Sequence, residues 1–110
     1  MKGSYLGEFE ELILLTVAAI GNEAYAVSVK SDIESTANRK VNISAVHSSL
    51  YRLEDKGFLS SEFGGAESKR GGKKKRYFKV SNSGMEVLKA VKELREQYWH
   101  NIPQLSFTNI

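Results

Sequence analysis

Apolar residues recur at steps of three and four through several stretches of this chain, and at steps of two through two shorter ones. The first helical stretch is predicted at 7–20. Phe9, Leu12, Ile13, Thr16, Val17 and Ile20 form its stripe, and Glu8, Glu10 and Glu11 occupy the first turn, where acids favour the positive end of a helix dipole. Leu14 and Leu15 lie off the centre of the stripe, so this helix is expected to meet its own core on one side and a second subunit on another. Gly21 supplies a stop. Asn22 is the predicted cap of a second helix with Glu23 in its first turn; Tyr25, Val29 and Ile33 face the core and Ala26 and Val27 widen that face. Residues 36–40 read as a turn and 41–43 as a short extended piece.

Ser44 is the predicted cap of a third helix that runs to about Lys56, with Gly57 as its stop. Val46, Leu50 and Leu53 point inward. A wheel of ~100° per residue then turns Ala45, Ser48, Ser49 and Arg52 outward, with His47 at their flank and Tyr51 also pointing away. Three small residues and one long cation let a helix sink close to another surface. Taken alone, the same pattern also describes an ordinary amphipathic helix with a polar outer face. Residues 58–63 alternate as a strand. Residues 74–80 form the return strand, with Arg76, Phe78 and Val80 on one face and Lys75, Tyr77 and Lys79 on the other. The glycine-rich connection 64–73 is longer than a tight turn. Ser81 caps a last helix over 82–101, which stops before Pro103. Val87, Val91, Leu94 and Tyr98 repeat there at heptad-like steps, with Leu88, Trp99 and Ile102 alongside. This seam predicts a partner helix, and so a homodimer through Val87, Val91, Leu94, Tyr98 and Trp99. The alternative is packing on its own domain alone.

Charge changes what this pattern means. The chain has 110 residues, with 16 Lys and Arg against 13 Asp and Glu. Seven of the basic residues fall in the 11 residues from 69 to 79, KRGGKKKRYFK; the remainder of the chain has a net charge of −4. An acidic body with one concentrated basic projection is the footprint expected for a phosphate backbone, although a solvated loop would look similar. The predicted order is helix, helix, short strand, helix, strand, basic loop, strand, helix. That is a winged helix-turn-helix, mostly α with a small β-hairpin. In it the third helix enters a major groove of double-stranded DNA and the loop follows phosphates. The expected DNA contacts are Ser44, Ala45, His47, Ser48, Tyr51 and Arg52 on the helix, and Lys69, Arg70, Lys73, Lys74, Lys75 and Arg76 on the wing. Within one compact unit, 1–81 is read as the DNA-binding part, 82–102 as the dimerisation helix and 103–110 as a tail.

Four segments resemble the PadR-like transcriptional regulators: LGEFEELILL at 6–15, AYAV at 24–27, LYRLEDKGFL at 50–59 and RGGKKKRYFKVS at 70–81. The Arg-Gly-Gly followed by a basic run and an aromatic pair is the most specific of them. The resemblance implies a homodimeric bacterial repressor, usually responsive to a small molecule, whose terminal helix builds the dimer; a cytoplasmic location is expected from the lack of cysteine and of a long apolar segment. It carries DNA contacts over to Ser48, Arg52 and the wing cations. This chain departs from the family pattern at Ala26, where glycine is usual, at His47, where tyrosine is usual, and at Ser44, where glycine is frequent.

Single residues keep two readings. Arg52 either reads a base or phosphate or pairs with Asp55 or Glu54. His47 either touches DNA or packs locally, and Tyr51 either packs against the wing or touches phosphate. Trp99 either stacks on a planar aromatic or phenolic effector or serves as a dimer contact. No nucleophile elbow, phosphate loop or metal-ligand spacing is present, and the chain has no cysteine, so neither an enzyme nor a cofactor or metal site is read here. The longest apolar run, 12–20, is too short for a bilayer and no membrane partner is expected. Two other functions fit the same elements: a winged-helix protein-interaction adaptor and a nonspecific architectural DNA binder.

Overall fold

The computed structural model describes residues 5–64 and 74–103. They form α1 (Glu8–Ile20), α2 (Ala26–Thr36), α3 (Ile43–Asp55), β1 (Leu59–Phe63), β2 (Arg76–Val80) and α4 (Asn82–Asn101). The three shorter helices pack around one core, the hairpin closes its open side and α4 crosses α1. This is a winged helix-turn-helix. Its core follows the helical spacing in the sequence: Ile13 and Val17 from α1, Val29 and Ile33 from α2, and Val46, Leu50 and Leu53 from α3 are all buried. Leu14, expected off the centre of the α1 stripe and toward a second subunit, is instead fully buried in the chain's own core. Phe58, Leu59, Phe78 and Leu88 complete it from the hairpin and α4. Burying one such side chain contributes roughly 1.5–3 kcal/mol.

Several boundaries differ from expectation. The second helix begins at Ala26, with Tyr25 as its cap rather than Asn22. Gly21 ends α1 with a φ of 83°. The following residues then carry an extended turn whose Ala24 carbonyl accepts the Phe78 N–H at 2.8 Å. That bond ties the entry of α2 to the hairpin, and a helix starting at Asn22 would forfeit it. Ser28 Oγ instead accepts the Tyr25 N–H at 3.0 Å. Val27 is 55% exposed and does not widen the core face. Residues 41–43 form no strand: among the described residues the sheet has two strands, and Ile43 opens α3.

β1 and β2 are antiparallel, with Ser61 opposite Phe78 and Phe63 opposite Arg76. α4 matches its predicted span, and Ser81 caps it by accepting the Gly84 N–H at 3.0 Å. Gly84 is where α4 touches the strand entry. A Cβ there would lie 2.3 Å from the Phe58 carbonyl oxygen, so the backbone approach requires glycine. Arg39 closes the far side of the bundle with a two-point bond to Glu8 at 2.6 and 3.1 Å, which holds the Glu8 carboxyl below the usual carboxylate range. No helix among the described residues is long and apolar enough to cross a membrane.

Candidate nucleic-acid interface

The site is built from the start of α3. Asn42, not Ser44, is its cap: Asn42 Oδ1 accepts the Ser44 N–H at 2.7 Å and the Ala45 N–H at 3.4 Å. The reason is packing. A start at Asn42 places half-buried Val41 before the cap and fully buried Val46 four residues after it, the pairing of a hydrophobic staple. A start at Ser44 would pair Ile43 with polar Ser48. Ser44 therefore lies within the first turn, and with Ala45, His47 and Ser48 it is exposed. Ser49, expected on this face, is 1% exposed and belongs to the core side. His47 packs on Tyr51, with ring centroids 5.9 Å apart.

Arg52 pairs with neither Asp55 nor Glu54. Its Nε donates to Glu10 Oε2 at 2.9 Å, across 42 residues of sequence. Lys56 Nζ donates to Glu10 Oε1 at 2.8 Å, and the Gly7 N–H donates to the same oxygen at 3.1 Å. Burial pushes the Glu10 carboxyl up. The bonds from Lys56, Gly7 and Arg52 outweigh it and hold the group below the usual carboxylate range. Glu10 thus fastens the C-terminal half of α3 to α1. Sequence reasoning placed Glu10 with its neighbours as a dipole partner; nothing local marks which first-turn acid faces another helix.

Glu54 receives a different cation. Arg76 Nη2 donates to Glu54 Oε1 at 2.7 Å, and Arg76 Nε donates to Ser61 Oγ at 3.0 Å. Ser61 Oγ in turn donates to Glu54 Oε2 at 2.8 Å. The Arg76 guanidinium also lies 4.8 Å from the Tyr51 ring centroid and 5.5 Å from that of Phe78. These contacts place Arg76 between hairpin and α3, half-buried, where it orients the wing. Tyr51 takes the wing-packing role. Lys74 and Lys75 precede β2 and are exposed; Lys75 Nζ sits 4.6 Å from the Tyr25 ring centroid. The remaining wing cations, Lys69, Arg70 and Lys73, lie outside the described residues, as does the tail beyond Pro103.

The predicted dimer residues divide along α4. Val87 and Val91 are half-buried against the chain's own core, whereas Leu94, Tyr98 and Trp99 are 56%, 68% and 62% exposed. Two open grooves flank this exposed half. One, of about 820 Å³, includes Leu15, Ala18, Met85 and Trp99 in its walls. The other, of about 570 Å³, includes Tyr5, Val91, Leu94 and Tyr98. Leu15 of α1, expected to face a second subunit, is 47% exposed.

Solved structures share this arrangement. A PadR-like transcription factor from Bacteroides fragilis superposes with a TM-score of 0.67 at 25% identity, over 86% of this chain and 89% of that one. The chain has the PadR-like winged-helix fold. A PadR-like transcriptional regulator from Bacillus cereus gives a TM-score of 0.70 at 16% identity, over 90% of this chain and 91% of that one. A PadR family transcriptional regulator from Eggerthella lenta gives 0.66 at 22%, over 88% and 82%. No family model and no curated protein matches the sequence. In this PadR-like fold α3 is the third helix, β1 and β2 are the strands of the wing hairpin and α4 is the terminal helix.

Proposed function

We propose that this chain is a sequence-specific DNA-binding transcriptional regulator of the bacterial cytoplasm that acts as a homodimeric repressor. One observation carries the reading. Ser44, Ala45, Ser48 and Arg52 stand exposed along α3, beside a cation-bearing hairpin that Arg76 locks to the same helix. Small residues admit the helix to a major groove. Arg52 supplies a donor for guanine or phosphate, and His47 lies at the edge of that face. Lys74 and Lys75, with Lys69, Arg70 and Lys73, supply the phosphate contacts that set affinity and register.

The dimer reading draws on the apolar, exposed half of α4. A second copy covering Leu94, Tyr98 and Trp99 would set two α3 helices against half-sites roughly one DNA turn apart. Residues 1–81 then act as the reading head and 82–102 as the coupling element. A planar aromatic or phenolic effector stacking on Trp99 would act by binding two dimer states with different affinity. The test is a gel shift on the promoter of the protein's own operon, with competitor DNA and at two salt concentrations. Competitor-resistant binding supports the regulator. Binding without preference favours an architectural role, and absence of binding favours a protein-interaction adaptor.

A further inference from the structure

The two cations that end the recognition helix share one buried carboxylate. Glu10 is 7% exposed, and its Oε2 accepts from Arg52 Nε at 2.9 Å while its Oε1 accepts from Lys56 Nζ at 2.8 Å. Lys56 also donates to the Tyr5 carbonyl at 3.1 Å, so its ammonium is turned into the protein. Arg52 is arranged differently. Its side chain is 56% exposed, and its hydrogen bond to Glu10 uses Nε alone. Its terminal nitrogens make no hydrogen bond to any described residue.

Arginine has five donors in a rigid planar fork, so fixing Nε against a carboxylate also fixes the plane and heading of the terminal nitrogens. Bidentate reading of a base edge needs that heading, whereas attraction to phosphate needs only the charge. We propose that Glu10 is a positioning residue for sequence recognition: it aims the Arg52 fork outward from α3, and it acts on DNA only through Arg52. Glu10 itself is buried and neutralised, so it contributes to preference between sequences and little to attraction for DNA in general. The proposal rests on the DNA-binding reading above. It adds a residue on α1, outside both the recognition helix and the wing, to those that determine base choice.

The experiment compares Glu10→Gln, Lys56→Met, Arg52→Ala and the double variant Glu10→Gln/Arg52→Ala. Each is checked for folding by circular dichroism, and the affinity ratio between the protein's own promoter duplex and a scrambled duplex is measured for each. Glu10→Gln is expected to lower this ratio about tenfold, the scale of one lost bidentate contact, with binding to the scrambled duplex unchanged or tighter. Lys56→Met removes the other partner of Glu10 and should leave the ratio within about twofold of the wild type while lowering the melting temperature. In the Arg52→Ala background, Glu10→Gln should lower the ratio no further. A purely structural Glu10 predicts the opposite: equal effects of Glu10→Gln and Lys56→Met, and a second loss of similar size in the Arg52→Ala background. Either result overturns the proposal. Should Glu10→Gln not fold, Glu10→Asp, which keeps the charge but withdraws the carboxylate, reads the same ratio. If the wild type binds both duplexes without preference, or binds neither, the sequence-specific reading above fails rather than the role of Glu10.

Discussion

α3 and α4 are both amphipathic, yet they solve burial in opposite ways. On α3 the central inward residues are covered by the chain itself: Val46, Leu50 and Leu53 are each 0% exposed. Its long cation Arg52 and its acid Glu54 are tied to neighbouring elements at 2.9 and 2.7 Å. On α4 the first half packs inward through Gly84 and Leu88, while the second half presents Leu94, Tyr98 and Trp99 to solvent. Monomeric proteins rarely leave such a seam uncovered. The heading of α3 is thus set within one chain, whereas in the proposed dimer the spacing of two such helices is left to the copy that covers α4. Those are the two quantities a dimeric DNA reader has to fix.

The largest effect is expected inside α3. Leu50→Ala leaves a cavity at the centre of the core and should cost about 2–5 kcal/mol, measured by urea unfolding. A loss under 1 kcal/mol would mean that α3 is less firmly held than its burial implies. Next comes the wing lock. Arg76→Met removes the cation from half-buried Glu54 and should cost about 1–2 kcal/mol. It should also weaken DNA binding through misplacement of the hairpin. A fully stable variant would mean that Arg76 does not hold the wing.

Acid offers a smaller and graded test. The folded state holds the Glu10 carboxyl below its ordinary value of 4.5. The stability it contributes is therefore present above that value and is lost as pH falls through the lower, folded one. Unfolding followed from about pH 6 to about pH 3 should show a shallower acid decline for Glu10→Gln than for the wild type. Identical slopes would remove the proposed link. The smallest effect on a single chain is expected on α4. Leu94→Glu with Tyr98→Glu changes side chains that are already exposed, so the fold of each protomer should shift by less than about 0.5 kcal/mol. In the proposed dimer these substitutions should nevertheless separate the protomers, so that sedimentation reports a monomer where the wild type sediments as a dimer; a variant that still sediments as a dimer would place the interface elsewhere.

Much of this was legible from spacing. The α1, α3 and α4 stripes, the hairpin and the Ser81 cap follow from period and punctuation. They bring Ala45, Ser48 and Arg52 to one exposed face, whereas Ser49, expected with them, is buried. Local signals failed where a distant residue decided. Asn42 won the cap over Ser44 because Val41 and Val46 both reach the core. Tyr25 replaced Asn22 because the Ala24 carbonyl serves Phe78. Arg52 and Arg76 both read as DNA contacts in the sequence, with Asp55 or Glu54 as the alternative partner of Arg52; each instead has an acid partner more than 20 residues away.

The central claim is that base choice lies with α3 and general affinity with the wing. Fluorescence anisotropy on the promoter duplex and a scrambled duplex, over a range of salt, tests it with two variants. Lys74→Ala with Lys75→Ala should weaken both duplexes alike and lower the salt slope by about two. Arg52→Ala should instead lower the preference between duplexes about tenfold and change the slope by about one or less. If the two variants behave alike on both readouts, the division of labour between α3 and the wing is wrong.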